Sequence, residues 1–227
     1  MQAVPWLYFL NSADQTLSQD LVAFYNFDGN TNDTSGQGNN ANTSGSFTTT
    51  TDHHGTTNGA YTFNGTNNYM TTTNSLNSPQ DYSANIWFKT TGTGGVMIAF
   101  TNAQTGVGET NYDRLLWLDT TGHVNFGVWT GTAHYITSPS AYKDGNWHMA
   151  TATMSTTTGM AIYVDGVSVA TDSNTASQVY TGWWRIGQSA VGSWPATMNS
   201  FFSGSLDDVR IYSIALNATQ VSNLYLL

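Results

Sequence analysis

The sequence contains no cysteine in its 227 residues. No disulfide can therefore cross-link the fold, and thiol chemistry and cysteine-ligated zinc are both excluded. Charge is also scarce, because Asp, Glu, Lys and Arg together make up 8% of the chain. Acidic residues dominate, 14 against 5 Lys and Arg, for a formal net charge of -9. This balance disfavours nucleic acids and anionic membranes as partners and favours polyvalent cations.

Residues that would line long charged surface helices are few, whereas Thr, Ser, Asn and Gly are abundant. This composition suits strands and loops. A chain of this length can bury a sizeable core, and all-β chains of similar length often form a single unit. We therefore expect one domain that covers residues 20–227.

Residues 1–19 precede the regular strand pattern and form an N-terminal extension or arm. Its apolar run, Ala3 to Leu10, is too short to span a bilayer and lacks the basic region of a complete signal peptide. The run could be a processed start, an added edge strand or collapsed arm on its own domain, or a strand donated to a neighbouring copy. The sequence leaves these alternatives open.

The clearest strand pattern lies between Tyr142 and Asp172. Side-chain types alternate with a period of two from Trp147 to Thr153 and again after Ala161, as in half-buried strands. Asp165-Gly166 supplies the positive backbone dihedrals of a two-residue turn. The segment therefore predicts two strands and a tight hairpin turn.

Other short strands are predicted along the rest of the chain, with 60–65 and 69–71 forming a hairpin. These strands are 21–27, 60–65, 69–71, 82–89, 95–100, 114–119, 123–129, 133–136, 182–187 and 201–212. Apolar spacing from Leu216 to Tyr225 predicts a short C-terminal helical turn with Asn217 as its N-cap. Strands this short and this regularly interrupted indicate a two-sheet antiparallel β-sandwich.

A polar stretch from Asp28 to Asn42 follows the first strand and is rich in Gly, Asn and Asp. Asp28 and Asp33 offer carboxylates, and nearby amide and carbonyl oxygens could complete the six to eight ligands that Ca²⁺ requires. An ordinary solvated turn explains the same residues. The spacing alone does not decide between the two.

Four blocks of the sequence resemble the laminin G-like branch of the concanavalin A-like jelly rolls. The blocks are LVAFYNFDGNTNDTSGQG (21–38), NGAYTFNGTNNY (58–69), 144–166 with its WH and YVDG motifs, and FSGSLDDVRIYSIAL (202–216) followed by the helical turn. They cover nearly all of residues 21–226 in the family's order. The resemblance implies an all-β jelly roll of two antiparallel sheets.

The resemblance also implies one structural calcium where the first loop meets the last strand. The acids that match the family's are Asp28, Asp33, Asp207 and Asp208. Adjacent side chains on a regular strand point to opposite faces, so Asp207 and Asp208 could both be ligands only at a bulge or a strand start. Of these two, Asp207 is favoured.

Catalytic motifs are missing. Related sandwich folds include glycosidases, which need two suitably placed carboxylates. The single Glu, Glu109, lies in a Gly-rich loop, and the sequence has no ExDxE, HExxH or GxSxG pattern. We expect no enzymatic activity.

The eight Trp residues divide into two sets. Trp87, Trp117 and Trp147 lie in apolar strand patterns and are expected in the core. Trp129, Trp183, Trp184 and Trp194 border loops rich in Gly, Ser and Thr, where exposed rings could stack on sugars or could instead cap the sandwich or fill a contact between subunits. The ligand-binding residues predicted from this pattern are Trp183, Trp184, Trp194, Tyr135 and His134.

The sequence predicts two alternative functions. The first, which depends mainly on the resemblance, is a non-catalytic extracellular recognition module that binds carbohydrate or another cell-surface ligand, with calcium as a structural ion. The second is a structural subunit of an extracellular filament, pilus-like fibre or virion surface. Such a subunit would assemble through the apolar N-terminal arm.

Overall fold

A computed structural model of the chain describes residues 17–195 and 197–227. The N-terminal arm lies almost wholly outside the described residues, and so do the hypotheses about its structure. Leu17, at its end, is buried against the domain in a cluster that includes Trp87 and Tyr212. The strands and the C-terminal helix of the described residues are β1 (Leu21–Tyr25), β2 (Ala41–Ser44), β3 (Thr48–Thr50), β4 (Ala60–Asn64), β5 (Tyr69–Thr72), β6 (Leu76–Asn77), β7 (Tyr82–Thr101), β8 (Tyr112–Leu118), β9 (His123–Trp129), β10 (Ala133–Ala141), β11 (His148–Ser155), β12 (Gly159–Val164), β13 (Val167–Asp172), β14 (Thr181–Ile186), β15 (Ser203–Tyr212) and α1 (Ala218–Tyr225).

The strands form two antiparallel sheets, as the sequence predicts. The first sheet runs β3-β4-β15-β7-β11-β12-β13, with β1 paired to the second half of β15. The second sheet runs β10-β9-β8-β7-β14-β5-β2, and the short β6 pairs with the start of β14. The chain is an all-β sandwich with one short C-terminal helix.

Strand β7 belongs to both sheets. Its first half pairs with β11 and β15, and its second half pairs with β8 and β14. Between the halves, Gly94 and Gly95 have φ values of 70° and 129°, which suit glycine. The sequence predicts strands 82–89 and 95–100 separately, and the structure joins them as one strand that turns from one sheet into the other.

The core fills the space between the sheets. Strand alternation sends Ile86, Phe88, Ala150 and Ile162 inwards, and all four are buried. The outer face of the first sheet is covered by α1, whose Val221 and Leu224 are buried in a second cluster. The core therefore lies between the sheets, and a further apolar layer lies under the helix.

Helix α1 begins as the sequence predicts. The Asn217 side chain accepts a hydrogen bond from the Gln220 backbone N–H, and the Gln220 side chain accepts one from the Asn217 N–H. This reciprocal pair is a capping box. The prediction of Asn217 as N-cap is confirmed.

The segment from Tyr142 to Asp172 contains three strands, β11, β12 and β13, rather than the two predicted. The turn at Asp165-Gly166 is confirmed, with φ values of 50° and 78°. The hairpin predicted for 60–65 and 69–71 is wrong, because β4 pairs with β3 and β15 in the first sheet while β5 pairs with β2 and β14 in the second. A pattern of period two predicts strands but not their partners.

Candidate functional site

Aromatic side chains gather on the outer face of the second sheet. Trp117 on β8, Trp129 on β9 and Tyr135 on β10 point away from the core, and Trp194 from the loop between β14 and β15 packs over them. Gly127 makes room for this packing, since a Cβ there would clash with the Trp194 ring and the Cβ of Tyr135. We call these four aromatic side chains the aromatic face.

The rings of the aromatic face contact one another in an angled arrangement. The Trp117 centroid lies 5.7 Å from those of Trp194 and Tyr135, and the Trp129 centroid lies 6.3 Å from that of Trp194. Such angled contacts stabilise aromatic clusters beyond the area that they bury. Tyr135 is 44% exposed and Trp129 is half-buried. Ring surface therefore remains available to a ligand.

A small open pocket lies at one side of the aromatic face. Its volume is about 130 Å³, and it is lined by Thr110, Tyr112, Trp129, Gln178, Ser193 and Trp194. Aromatic walls with a few neutral hydrogen-bonding groups are typical of small-ligand sites. Among the described residues that line it, none carries a charge.

A buried ion pair holds one wall of this pocket. Asp113 and Arg114 are in direct contact, and both side chains are fully buried. Asp113 Oδ2 accepts hydrogen bonds from the backbone N–H groups of Gln178 at 3.0 Å and Trp129 at 3.3 Å. Burial raises the pKa of Asp113, while Arg114 and these hydrogen bonds oppose the shift. The pair fixes the backbone at two of the lining residues.

A second buried ion pair lies beside other lining segments of the pocket. Arg185 Nη1 lies 3.4 Å from Glu109 Oε1, with both side chains fully buried. Glu109 Oε1 also accepts the backbone N–H of Ala190 at 2.6 Å. The loop that carries Thr110 is thereby joined to the segment that leads to Trp194. Burial lowers the pKa of Arg185, and Glu109 opposes this shift.

The structure brings together only part of the predicted ligand-binding set. Trp194 and Tyr135 lie on the aromatic face. Trp184 is 1% exposed in the core, so its predicted exposure is wrong. His134 lies next to Tyr135 but on the opposite face of β10, where its Nε2 is 2.8 Å from Asp172 Oδ1. Trp183 is half-buried and faces outwards on β14, since Trp184 faces inwards.

Several residues that line the pocket are not predicted from the sequence. Thr110, Gln178 and Ser193 belong to ordinary polar loops, and only their position in the fold reveals them. Trp117 is buried as expected for a strand Trp, but it lies on the aromatic face rather than between the sheets. Trp87 and Trp147 likewise lie on the outer face of the first sheet, beside α1.

The acids of the first loop already have protein partners. Asp33 accepts hydrogen bonds from the backbone N–H groups of Phe24, Ser35 and Asn39 at 2.8–2.9 Å. Burial alone would raise the pKa of Asp33, but these hydrogen bonds and one from the Ser35 hydroxyl lower it. Asp28 is exposed and accepts a bond from the Asn26 amide at 2.7 Å. Asp33 therefore helps to close the loop through its hydrogen bonds to both ends.

The acids of the last strand also have partners. Asp207 Oδ2 lies 2.6 Å from Nδ1 of His53, whose ring stacks on Trp87, and Asp208 Oδ2 lies 3.1 Å from Arg210 Nη1. The strand is irregular here, as the sequence suggested, with a register shift between Asp207 and Arg210 and a φ of 46° at Asp208. Burial raises the pKa of Asp207, and His53 opposes the shift.

The four predicted calcium ligands do not form one ligand set. In the part of the chain that the structure describes, no group of three or more His, Cys, Asp or Glu side chains is arranged to hold a metal ion. Asp33 Oδ2 accepts the Asn39 backbone N–H, Asp207 Oδ2 contacts His53 and Asp208 Oδ2 contacts Arg210, so a bound calcium ion would share these carboxylates with their present partners. The calcium site stays a prediction, based on the oxygen-rich first loop and on the family resemblance.

A family comparison places this fold. Residues 64–222, more than half of the chain, match a laminin G family model described as the concanavalin A-like lectin/glucanases superfamily. The chain belongs to this superfamily. Among the curated proteins, none matches the sequence. In the described residues, no helix is long and apolar enough to cross a membrane.

Solved structures share the fold at low sequence identity. Domain 4 of AbnA, a GH43 extracellular arabinanase from Geobacillus stearothermophilus, solved in complex with arabinotriose, superposes with a TM-score of 0.61 and 18% identity over 91% of this chain and 98% of that one. A native heptameric SAP-like pentraxin from Limulus polyphemus gives 0.55 and 22% over 72% and 80%.

Botulinum neurotoxin structures form another group of neighbours. One is a structure of type C neurotoxin, a toxin whose cell entry depends on interaction with two ganglioside molecules. It gives a TM-score of 0.65 and 13% identity over 93% of this chain and 52% of that one. This chain thus spans about half the length of these toxin structures. Likeness at such identity establishes the fold alone.

Proposed function

We propose that the protein is a non-catalytic carbohydrate-recognition module that binds sugar at the pocket beside the aromatic face. The observation that carries the proposal is the pocket itself, in which Trp129, Trp194 and Tyr112 surround neutral groups from Thr110, Gln178 and Ser193. Aromatic rings offer flat apolar surfaces for sugar C–H groups, and the hydroxyl and amide groups can bond sugar hydroxyls.

The pocket is held ready for a ligand. Two buried carboxylates, Asp113 and Glu109, bond backbone N–H groups on the segments that form its walls. A site held rigid before binding loses less conformational entropy when the ligand arrives. The arrangement of the two ion pairs supports a binding role for this region.

A binding role without catalysis is supported by the position of the acids. Glycoside hydrolysis requires two carboxyl groups that flank the scissile bond. Glu109 and Asp113 are buried behind the pocket walls, each in an ion pair with an arginine. The described lining residues include no carboxylate. The pocket can hold a sugar but has no acid and base to cleave one.

Known neighbours support the ligand class. The arabinanase domain was solved with arabinotriose, and the type C neurotoxin uses gangliosides. The arabinanase is also described as extracellular, and we extend that location to this chain as part of the proposal. Adhesion to a glycan-bearing cell surface is the corresponding role.

A glycan array tests the proposal, with the intact chain compared with Trp129→Ala. The expected result is binding to a defined group of glycans that the variant loses. The control is Trp147→Ala, which removes a half-buried Trp from the outer face of the other sheet. Equal binding by all three proteins, or none by the intact chain, would contradict the proposed site.

Self-assembly through the N-terminal arm is the second candidate. Leu17, the residue that follows 1–16, is 5% exposed and packs near Trp87 and Tyr212 on the outer face of the first sheet. Size-exclusion chromatography of the intact chain and of a form without residues 1–16 tests it. Assemblies that disappear on truncation would support a filament subunit, and monomers in both samples would exclude it.

A further inference from the structure

We infer that the pocket selects an uncharged sugar and rejects sialylated, sulfated or uronic-acid sugars. This inference rests on the proposed carbohydrate-binding function and specifies its ligand class. The six described lining residues are three aromatic side chains, two hydroxyl side chains and one amide. Each polar group among them can exchange hydrogen bonds with a sugar hydroxyl, but none can neutralise an anionic group.

None of the lysines and arginines of the chain lines the pocket. Arg114 and Arg185 are fully buried in their ion pairs. Arg210 contacts Asp208 and lies 3.9 Å from the Phe24 ring centre, on the first sheet. Lys143 Nζ donates to the Thr120 carbonyl at 2.7 Å, and Lys89 lies on the first-sheet half of β7. The chain has 5 Lys and Arg in total, so no further lysine or arginine is available.

An anionic sugar would therefore enter the pocket without a counter-charge. Burying an unpaired carboxylate or sulfate is unfavourable, and proteins that recognise such groups usually supply arginine or lysine. The net charge of -9 adds a long-range repulsion. The uncharged lining of the pocket and the negative net charge of the chain thus both disfavour the binding of an anionic sugar.

The inference also separates this chain from one of its structural neighbours. The type C neurotoxin depends on gangliosides, which are sialylated lipids. A shared fold does not transfer the ligand, because specificity depends on the side chains of the site. The neutral lining predicts that this chain prefers the same kind of oligosaccharide without the acidic residue.

Titration calorimetry with matched glycan pairs tests the inference. Each pair consists of a neutral oligosaccharide chosen from array hits and the same oligosaccharide with one sialic acid or sulfate added to its terminal sugar. We expect the neutral member to bind at least about tenfold more tightly. Its affinity should change by less than about twofold between about 0.05 M and 0.5 M NaCl, because screening acts only on charge.

A variant with an added cation supplies the complementary arm. Ser193→Lys places an amine at the pocket rim and should raise the affinity for the anionic member of the pair relative to the neutral one. Thr66→Lys, on an exposed loop outside the pocket lining, is the control for net charge. It should leave the ratio of anionic to neutral affinity unchanged.

The outcomes distinguish this inference from the proposed function. Equal or tighter binding of the anionic member by the intact chain, lost in Trp129→Ala, would overturn the neutral-sugar inference and leave the carbohydrate site intact. Binding that survives in Trp129→Ala would overturn the site, and with it the inference. Absence of binding to all glycans of both classes would overturn both.

Discussion

The ring centroids of Trp129 and Trp194 lie 6.3 Å apart with their planes at 56°. One ring ends strand β9 and the other comes from the loop between β14 and β15, so the pocket exists only when the second sheet and this loop are both in place.

Gly127→Ala should destabilise the fold and displace Trp194. A Cβ at this position would overlap the Trp194 ring and the Cβ of Tyr135. Overpacking of this kind costs about 1–3 kcal/mol. Urea denaturation measures the loss, and Gly108→Ala is the control because no atom lies within 4 Å of its Cβ position. Equal stability of the two variants would show that Trp194 does not pack on Gly127.

Glu109→Gln should destabilise the chain by about 3–5 kcal/mol, because it removes the carboxylate counter-charge of the buried Arg185. Chemical denaturation measures the effect. The double variant Glu109→Gln with Arg185→Met removes both charges and should recover part of the loss. Asp144→Asn, whose side chain is 51% exposed, is the control and should have little effect. A loss below about 0.5 kcal/mol for Glu109→Gln would contradict the buried pair.

Stability should depend on pH through His148. A hydrogen bond that the His148 Nδ1–H donates to Asp165 Oδ2, 2.8 Å away, raises the pKa of His148, and Asp144 adds to the shift. Because the folded pKa is above the unfolded value of 6.5, this contribution is full below about pH 6.5 and is lost as pH rises through the folded pKa.

The difference in unfolding free energy between the intact chain and His148→Gln isolates this contribution. The difference should shrink as pH increases from about 6 to 9. His134→Gln is the control, since the His134 side chain is 39% exposed and its pair with Asp172 is weakened by solvent. A difference that does not change with pH would show that Asp165 does not favour the protonated ring.

Calcium binding, which the family resemblance implies, should raise the melting temperature by several degrees at saturating ion. A ligand at one hundred times its dissociation constant stabilises the folded state by about 2.7 kcal/mol. Melting curves with calcium and with chelator measure the shift, and Asp28→Asn should reduce it, since Asp28 is the exposed acid of the four. Identical melting curves would show that the folded chain does not bind calcium.

Local patterns predict the strands, the turn at Asp165-Gly166 and the cap at Asn217 because each depends on a few adjacent residues. The Asp165 side chain also accepts the Met149 N–H at 2.9 Å, which links the turn to the WH motif. Neither the pairing of β4 and β5 nor the passage of β7 between the sheets can be derived in this way. Strand partners depend on contacts between residues that are distant in the chain.

The site was harder to predict than the fold. Trp183 and Trp184 are adjacent in sequence, yet one faces outwards and the other is buried between the sheets. The sequence predicts Trp194 and Tyr135 as ligand-binding residues. It predicts them together with Trp184 and His134, which lie on other faces of their strands. No local pattern marks the loop residues Thr110 and Ser193 as pocket residues. Their position depends on contacts between distant segments, such as the hydrogen bond from the Ala190 N–H to Glu109.

Nuclear magnetic resonance of the indole N–H signals measures directly whether a sugar binds at the pocket beside the aromatic face. The chain has eight Trp residues, which can be assigned by substitution and followed while a neutral oligosaccharide from the array is added. The account predicts that the signals of Trp129 and Trp194 shift with saturation while those of Trp87 and Trp147, on the other sheet, stay in place. Shifts at Trp87 and Trp147 with none at Trp129 and Trp194 would contradict it.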